Sequence, residues 1–159
     1  DRFRHPYLRD ALLDRGYATD TLETAAPWSA AASTRRAVGH AIANALTEIE
    51  EAVAVLCHVS HPYRDGSSLY FTFFYRCGAS CDESLHRWAQ IKRRATEALV
   101  EAGATLSHHH GVGQWHAPWL EREVGKLGTG LLAATAHHMD PLGILNPHVL
   151  LETTDRLEE

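Results

Sequence analysis

The chain is expected to fold as an α+β protein: a ferredoxin-like β-α-β-β-α-β antiparallel sheet with its helices on one face, plus a C-terminal helical extension. Three observations lead there. Two long segments carrying apolar residues at helical spacing, over 29–51 and 80–102, alternate with short β-branched or aromatic stretches. The turn-forming run His61-Pro-Tyr-Arg-Asp-Gly66 separates two of those stretches as a hairpin loop would. Alternation over 67–75 puts Leu69, Phe71, Phe73 and Tyr75 on one face and Tyr70, Thr72 and Phe74 on the other, as in a strand with one buried side.

Taken in order, residues 1–17 form a lead-in helix, with Leu8, Leu12 and Leu13 at helical spacing, Pro6 at its start and Gly16 at its end. Residues 18–26 supply β-branched threonines for a first strand, which Pro27 and Trp28 interrupt. Ser29 is a suitable N-cap for a helix whose apolar stripe is Val38, Ile42, Ala45 and Ile49. The run over 52–59 reads as a buried strand, with His58 a candidate core histidine. Ser80 and Glu83 form a capping box ahead of Leu85, Trp88, Ala95 and Leu99, and Gly103 stops that helix. Residues 104–107 offer a last short strand that ends the 18–107 domain. Residues 108–159 are expected to hold a histidine-glycine turn and helices opening at Pro118 and running over 127–139. These helices need a surface to pack on.

The 159 residues are 45% hydrophobic, enough for a globular core and too many for a disordered chain. A formal net charge of −5 without a basic stripe argues against nucleic acid as a partner. No apolar run approaches the roughly 20 residues of a transmembrane helix, and the expected location is cytoplasmic. The three cysteines, Cys57, Cys77 and Cys81, cannot all pair, which fits a reducing compartment. The opening at Asp1, without methionine or a helix start signal, reads as a fragment of a longer protein.

Chemistry concentrates in Ser107-His-His-His-Gly-Val-Gly113. Three imidazoles adjoin two glycines that tolerate positive φ and close backbone approach. In extended backbone His108 and His110 would share a side and His109 would oppose them, so the three cannot all bind one metal. Further ligands by residue type are His58, His61, His116, His137 and His138, without a recognised metal spacing, and no protein-bound metal is expected. Tyr70 either faces a ligand or is an ordinary sheet tyrosine, and Arg9 either meets an anionic group or sits exposed on its helix. The stretch over 125–130 lacks the phosphate-loop pattern, and Ser60, His58 and Asp65 lack the elbow of a serine hydrolase.

Five ordered motifs carry a resemblance: Pro6-Tyr-Leu-Arg-Asp10, Glu23-Thr-Ala-Ala-Pro-Trp28, Ser68-Leu-Tyr-Phe-Thr72, the histidine-glycine segment and Asp140-Pro-Leu-Gly-Ile-Leu-Asn-Pro147. Together they resemble the C-terminal part of FAD-linked oxidases of the vanillyl-alcohol-oxidase type, and within these the alkyldihydroxyacetonephosphate synthases. The resemblance implies a cap and substrate domain of an FAD-dependent enzyme, with FAD held mainly by an N-terminal domain. It implies that Arg9, Tyr70, His108, His109 and His110 line the reaction side of the flavin, with Gly111, Gly113 and Asn146 on the cofactor. It also implies exchange of acyl for alkyl on a phosphorylated glycerone, or oxidation of a small hydroxylated substrate. The dehydrogenase branch ends its glycine-rich motif in histidine and carries a glutamate in its E-H-G turn, as metal ligands. This chain has Tyr70 and His109 there. Because the resemblance assigns the phosphate-binding loop for FAD to the N-terminal domain, the isolated chain is expected to bind FAD poorly. A lipid-type substrate and a homodimer are left open, and the reading from another class is a non-catalytic ferredoxin-like ligand-binding module.

Overall fold

The computed structural model describes residues 8–151, apart from the side chains of Leu8 and Arg9. The order of elements is α1 (Leu8–Leu13), β1 (Tyr17–Pro27), α2 (Trp28–Ala43), a short 3-10 turn (Thr47–Ile49), β2 (Ala54–Pro62), β3 (Gly66–Arg76), α3 (Cys81–Glu101) and α4 (Gly113–Met139). The strands form one antiparallel sheet in the order β1-β3-β2. An α+β fold with a C-terminal helix is therefore what the chain adopts.

β1 and β3 pair in unbroken register from Tyr17 opposite Arg76 to Pro27 opposite Gly66. The alternation read in β3 holds: Leu69, Phe71, Phe73 and Tyr75 are buried, and they share a core with Leu22, Val38, Ile42, Ile91 and Leu99. Helices α2 and α3 supply the last four of these and cover that face. The other face carries Glu23 on β1, Tyr70 on β3 and His58 on β2 in one row, since Tyr70 pairs with both of the others. At the hairpin end Gly66 is needed for close approach, because a Cβ there would meet the Ala26 carbonyl oxygen at 2.4 Å.

The fourth strand does not form. Residues 104–108 run antiparallel beside β1 with two backbone hydrogen bonds, Thr105 N to Ala25 O (3.2 Å) and His108 N to Glu23 O (3.2 Å). Side chains replace the rest of the ladder: Thr105 Oγ1 accepts from Ala25 N at 2.9 Å and Thr24 Oγ1 donates to Thr105 O at 2.5 Å. The segment still lies where the outer strand of a ferredoxin-like sheet would.

Other boundaries moved for local reasons. Helix α2 begins at Trp28, capped by Pro27 and not Ser29, because Trp28 N donates to Asp65 O and its indole N–H to Tyr63 O. It ends at Ala43, which leaves Ile49 in the 3-10 turn and 47% exposed. Ser80 caps α3 by accepting from Glu83 N at 3.1 Å, while the Glu83 carboxylate reaches Ala79 N at 2.7 Å. The expected pair of C-terminal helices forms along α4, but the first starts earlier, at Gly113, and contains Pro118, and the two are separated at Gly125, where φ is 74° and ψ 166°. No helix among the described residues is long and apolar enough to cross a membrane.

Tyr75 is 5% exposed, and burial, with smaller contributions from Cys77 and Asp20, pushes its phenol up from 10.0 to about 12. A raised folded-state value means that stability is fully present below about pH 10 and is lost as pH rises through about 12. Tyr75→Phe is expected to flatten that alkaline decline in urea unfolding measured at a series of pH values. An unchanged slope would contradict this.

Candidate functional site

Burial of Glu23, at 4% exposure, organises the site. As an odd-numbered residue of β1 it projects from the face opposite Leu22, away from the helices, and the turn after residue 107 folds back over it. Its Oε1 lies 3.2 Å from His108 Nδ1 and 3.4 Å from His61 Nδ1, and its Oε2 lies 3.1 Å from His110 Nε2. Ser60 Oγ donates to Oε1 at 3.3 Å. Burial alone would raise the Glu23 pKa. Hydrogen bonds from Ser68 and His108 and the charges of His110 and His108 outweigh it, so the carboxylate is held below its usual range.

The turn that brings two members of the triplet onto one carboxylate is not extended. His109 sits at φ 59°, a left-handed conformation uncommon for a side-chain-bearing residue, and Gly111 and Gly113 follow at 75° and 61°. Reversal at His109 lets His108 and His110 both reach Glu23, while the His109 ring stacks on His61 with centroids 5.1 Å apart and planes 4° from parallel. Tyr70 stands edge-on to His110, with ring centroids 5.6 Å apart.

An ionised carboxylate only accepts, so His108 carries a proton on Nδ1, and in the neutral ring Nε2 is free to accept. That nitrogen lies 2.9 Å from the Tyr63 hydroxyl, which is also 3.5 Å from His109 Nε2. Carboxylate, imidazole and phenol thus form a continuous path from the sheet to the surface. Glu23, His61 and His108 also offer ligand atoms within 4.8 Å of one another, so a carboxylate oxygen and two imidazole nitrogens could converge on a divalent cation.

Of the residues singled out from the sequence, Tyr70, His108, His109 and His110 come together, and Gly111 and Gly113 line the cavity beside them. Arg9 falls in α1, but its side chain lies outside the described residues. Asn146 is exposed in the turn after α4 at φ 45°. His58 is exposed on the open face of β2 and is no core histidine. Three residues escaped the sequence reading: Glu23, Tyr63 and Ser68, the last of which accepts from His61 N at 3.0 Å. The sequence signals for Glu23 were its place at the head of the Glu23–Trp28 motif and an acidic side chain inside a strand otherwise rich in threonine and alanine, and neither gave it a role in the site.

The polar, aromatic sheet face and its histidine turn suit the reactive ring of a flavin, which needs donors and acceptors fixed on one side. They offer no cradle for its pyrophosphate. The chain is 37% identical over 147 residues to an alkyldihydroxyacetonephosphate synthase of Trypanosoma brucei brucei, covering 92% of this chain and 24% of that protein. It is 28% identical to the synthase of Dictyostelium discoideum, covering 96% of this chain and 24% of that protein. An uncharacterized FAD-linked oxidoreductase of Escherichia coli is 26% identical, covering 87% of this chain and 29% of that protein. A solved alkyldihydroxyacetonephosphate synthase structure superimposes with a TM-score of 0.62 at 22% identity, over 92% of this chain and 23% of that one, and so shares the fold. The chain thus spans about a quarter of the length of the synthases it matches. Residues 1–150 match the family described as FAD linked oxidases, C-terminal domain, and the chain belongs to that family.

Proposed function

We propose that this chain is the cap and substrate domain of an FAD-dependent enzyme whose leading chemistry is exchange of acyl for alkyl on a phosphorylated glycerone. The observation that carries this reading is the convergence of His61, His108 and His110 on buried Glu23, beside Tyr70 on the open sheet face. The likeness to the two synthases supports the choice of chemistry. Oxidation of a small hydroxylated substrate is the second reading, favoured by the likeness to an FAD-linked oxidoreductase.

The work of the chain's own residues follows from the geometry. Glu23 fixes His108 with its proton on Nδ1, which leaves Nε2 to take a proton from Tyr63 or return one to it. His110, held by the other carboxylate oxygen, meets Tyr70 and presents a polar edge to a bound substrate. His109 stays exposed, held by its stack on His61, and is the imidazole open to an incoming group. FAD, when bound by the remainder of the protein, supplies the redox-active ring. Tyr70, the three histidines, Gly111 and Gly113 are the residues assigned to face it.

In the full-length flavoprotein, Tyr70→Phe and His109→Ala are each expected to lower turnover by about 100-fold, the scale of a lost proton-transfer group, without lowering the unfolding temperature. Exchange of acyl for alkyl without net reduction would support transfer, and anaerobic bleaching of the flavin by a 2-hydroxy acid would support oxidation. Full activity in both variants would remove these residues from the site.

A further inference from the structure

The segment Glu23-Thr-Ala-Ala-Pro-Trp28 carries more than the buried carboxylate at its head. Its last residue opens α2, where the Trp28 backbone N–H is one of the donors that the start of a helix leaves without a partner inside the helix. That donor goes to Asp65 O at 3.1 Å, and the indole Nε1 donates to Tyr63 O at 3.0 Å. Tyr63 N in turn donates to Gly66 O at 2.8 Å, and Gly66 pairs with Pro27 in the register of β1 and β3. The tip of the hairpin between β2 and β3 is thereby closed on itself and tied from two points to one tryptophan.

The tie has a result on the other side of the tip. Tyr63 turns its phenol to His108, with the hydroxyl 2.9 Å from Nε2 and ring centroids 5.7 Å apart. Trp28 and Tyr63 are each 48% exposed. Packing therefore covers only about half of either residue, and the direction of the phenol depends on where the backbone of residue 63 is pinned. A tryptophan placed for burial would turn into the core, whereas this one directs its N–H at a backbone carbonyl of the hairpin. His108 is thus held at both ring nitrogens from the two ends of one six-residue segment: by Glu23 at Nδ1, 3.2 Å away, and at Nε2 through Trp28 and Tyr63.

We propose that Trp28 is a positioning residue: its indole N–H pins the hairpin tip so that the Tyr63 phenol stays on His108 Nε2. The role rests on the reading of His108 and Tyr63 as a proton path, and it gives the far end of the Glu23–Trp28 motif a part in the site.

The test takes two measurements on the full-length flavoprotein. The first is the rate at which diethyl pyrocarbonate acylates His108, resolved from His109 and His110 by fragment mass spectrometry. The reagent needs a free imidazole lone pair, and the Tyr63 hydroxyl occupies the one on Nε2. Trp28→Phe and Tyr63→Phe are each expected to raise that rate about fivefold, the scale of one hydrogen bond lost. Phenylalanine keeps a ring at a half-exposed position, so Trp28→Phe is expected to fold, with an unfolding temperature near that of the wild type. The second measurement is turnover. Tyr63→Phe is expected to lower kcat about 100-fold and Trp28→Phe about tenfold, with KM unchanged. The double variant is expected to match Tyr63→Phe alone, because the tryptophan then has no phenol left to place. A tryptophan that only supports the fold would instead add its own loss to that of Tyr63. Labelling of His108 at the wild-type rate in Trp28→Phe, or additive losses in the double variant, would overturn the proposal. Labelling needs no turnover, so the two readings part: faster labelling in both variants with full turnover in Tyr63→Phe would keep the positioning by Trp28 and remove the proton path.

Discussion

Glu23→Ala in the full-length enzyme is expected to lower turnover by about 1,000-fold, more than the loss of any single imidazole, because one carboxylate holds two members of the triplet. The cause is positional. Without Oε1 and Oε2, His108 and His110 lose the acceptors at 3.2 and 3.1 Å that set their orientation, and His109 loses the reason for its left-handed turn. Stability should fall by about 2 kcal/mol: charge-assisted hydrogen bonds are lost, but His61 and His110 are half exposed, so water replaces part of the interaction. For a domain of this size that is a drop of about 4–8 °C in Tm, readable by calorimetry. Because the native carboxyl is held below its ordinary value, its contribution is present above the unfolded-state pKa of about 4.5 and is lost as pH falls through the lower folded value. Glu23→Gln should remove that acid-side loss while keeping the volume. A Glu23→Ala enzyme with wild-type turnover and Tm would end the role assigned to the carboxylate.

Phe71→Ala is expected to cost the most in stability, about 3–5 kcal/mol, the range for deleting a large aromatic side chain from a closed core. Phe71 is completely buried and lies on the central strand between Leu22 and Cys57. The surrounding side chains come from both neighbouring strands and the covering helices, so the hole cannot close by moving one of them. Urea unfolding should show the midpoint shifted to lower denaturant with the slope unchanged. A loss below about 1 kcal/mol would mean that the core repacks, contrary to the density implied here.

Much of this architecture was legible because it rests on local pattern. The period-two run in β3, the Ser80 and Glu83 cap and the Gly103 stop are written within a few residues of where they act. What the sequence could not show depends on contacts distant along the chain. Glu23 meets His108 across 85 positions, so the motif that it opens did not show it to be the centre of the site. The outer strand failed for a related reason: Thr105 and Thr24 bond through their side chains, a competition that β propensity does not encode. The histidine turn was recognisable by composition, yet its folding back over β1 required His109 to take a left-handed backbone conformation, which residues with side chains adopt infrequently.

The absence of any bulge between β1 and β3 has a consequence for how such a domain can change. An extra residue in β3 ahead of Tyr70 would turn that phenol toward the helices and set an apolar side chain opposite Glu23. The hairpin offers no free length either: Tyr63 reaches His108, the carbonyls of Tyr63 and Asp65 hold Trp28, and Ser60 and His61 at the irregular end of β2 meet Glu23. New substrate preferences in domains built this way should arise by exchange of individual side chains, not by insertion or deletion.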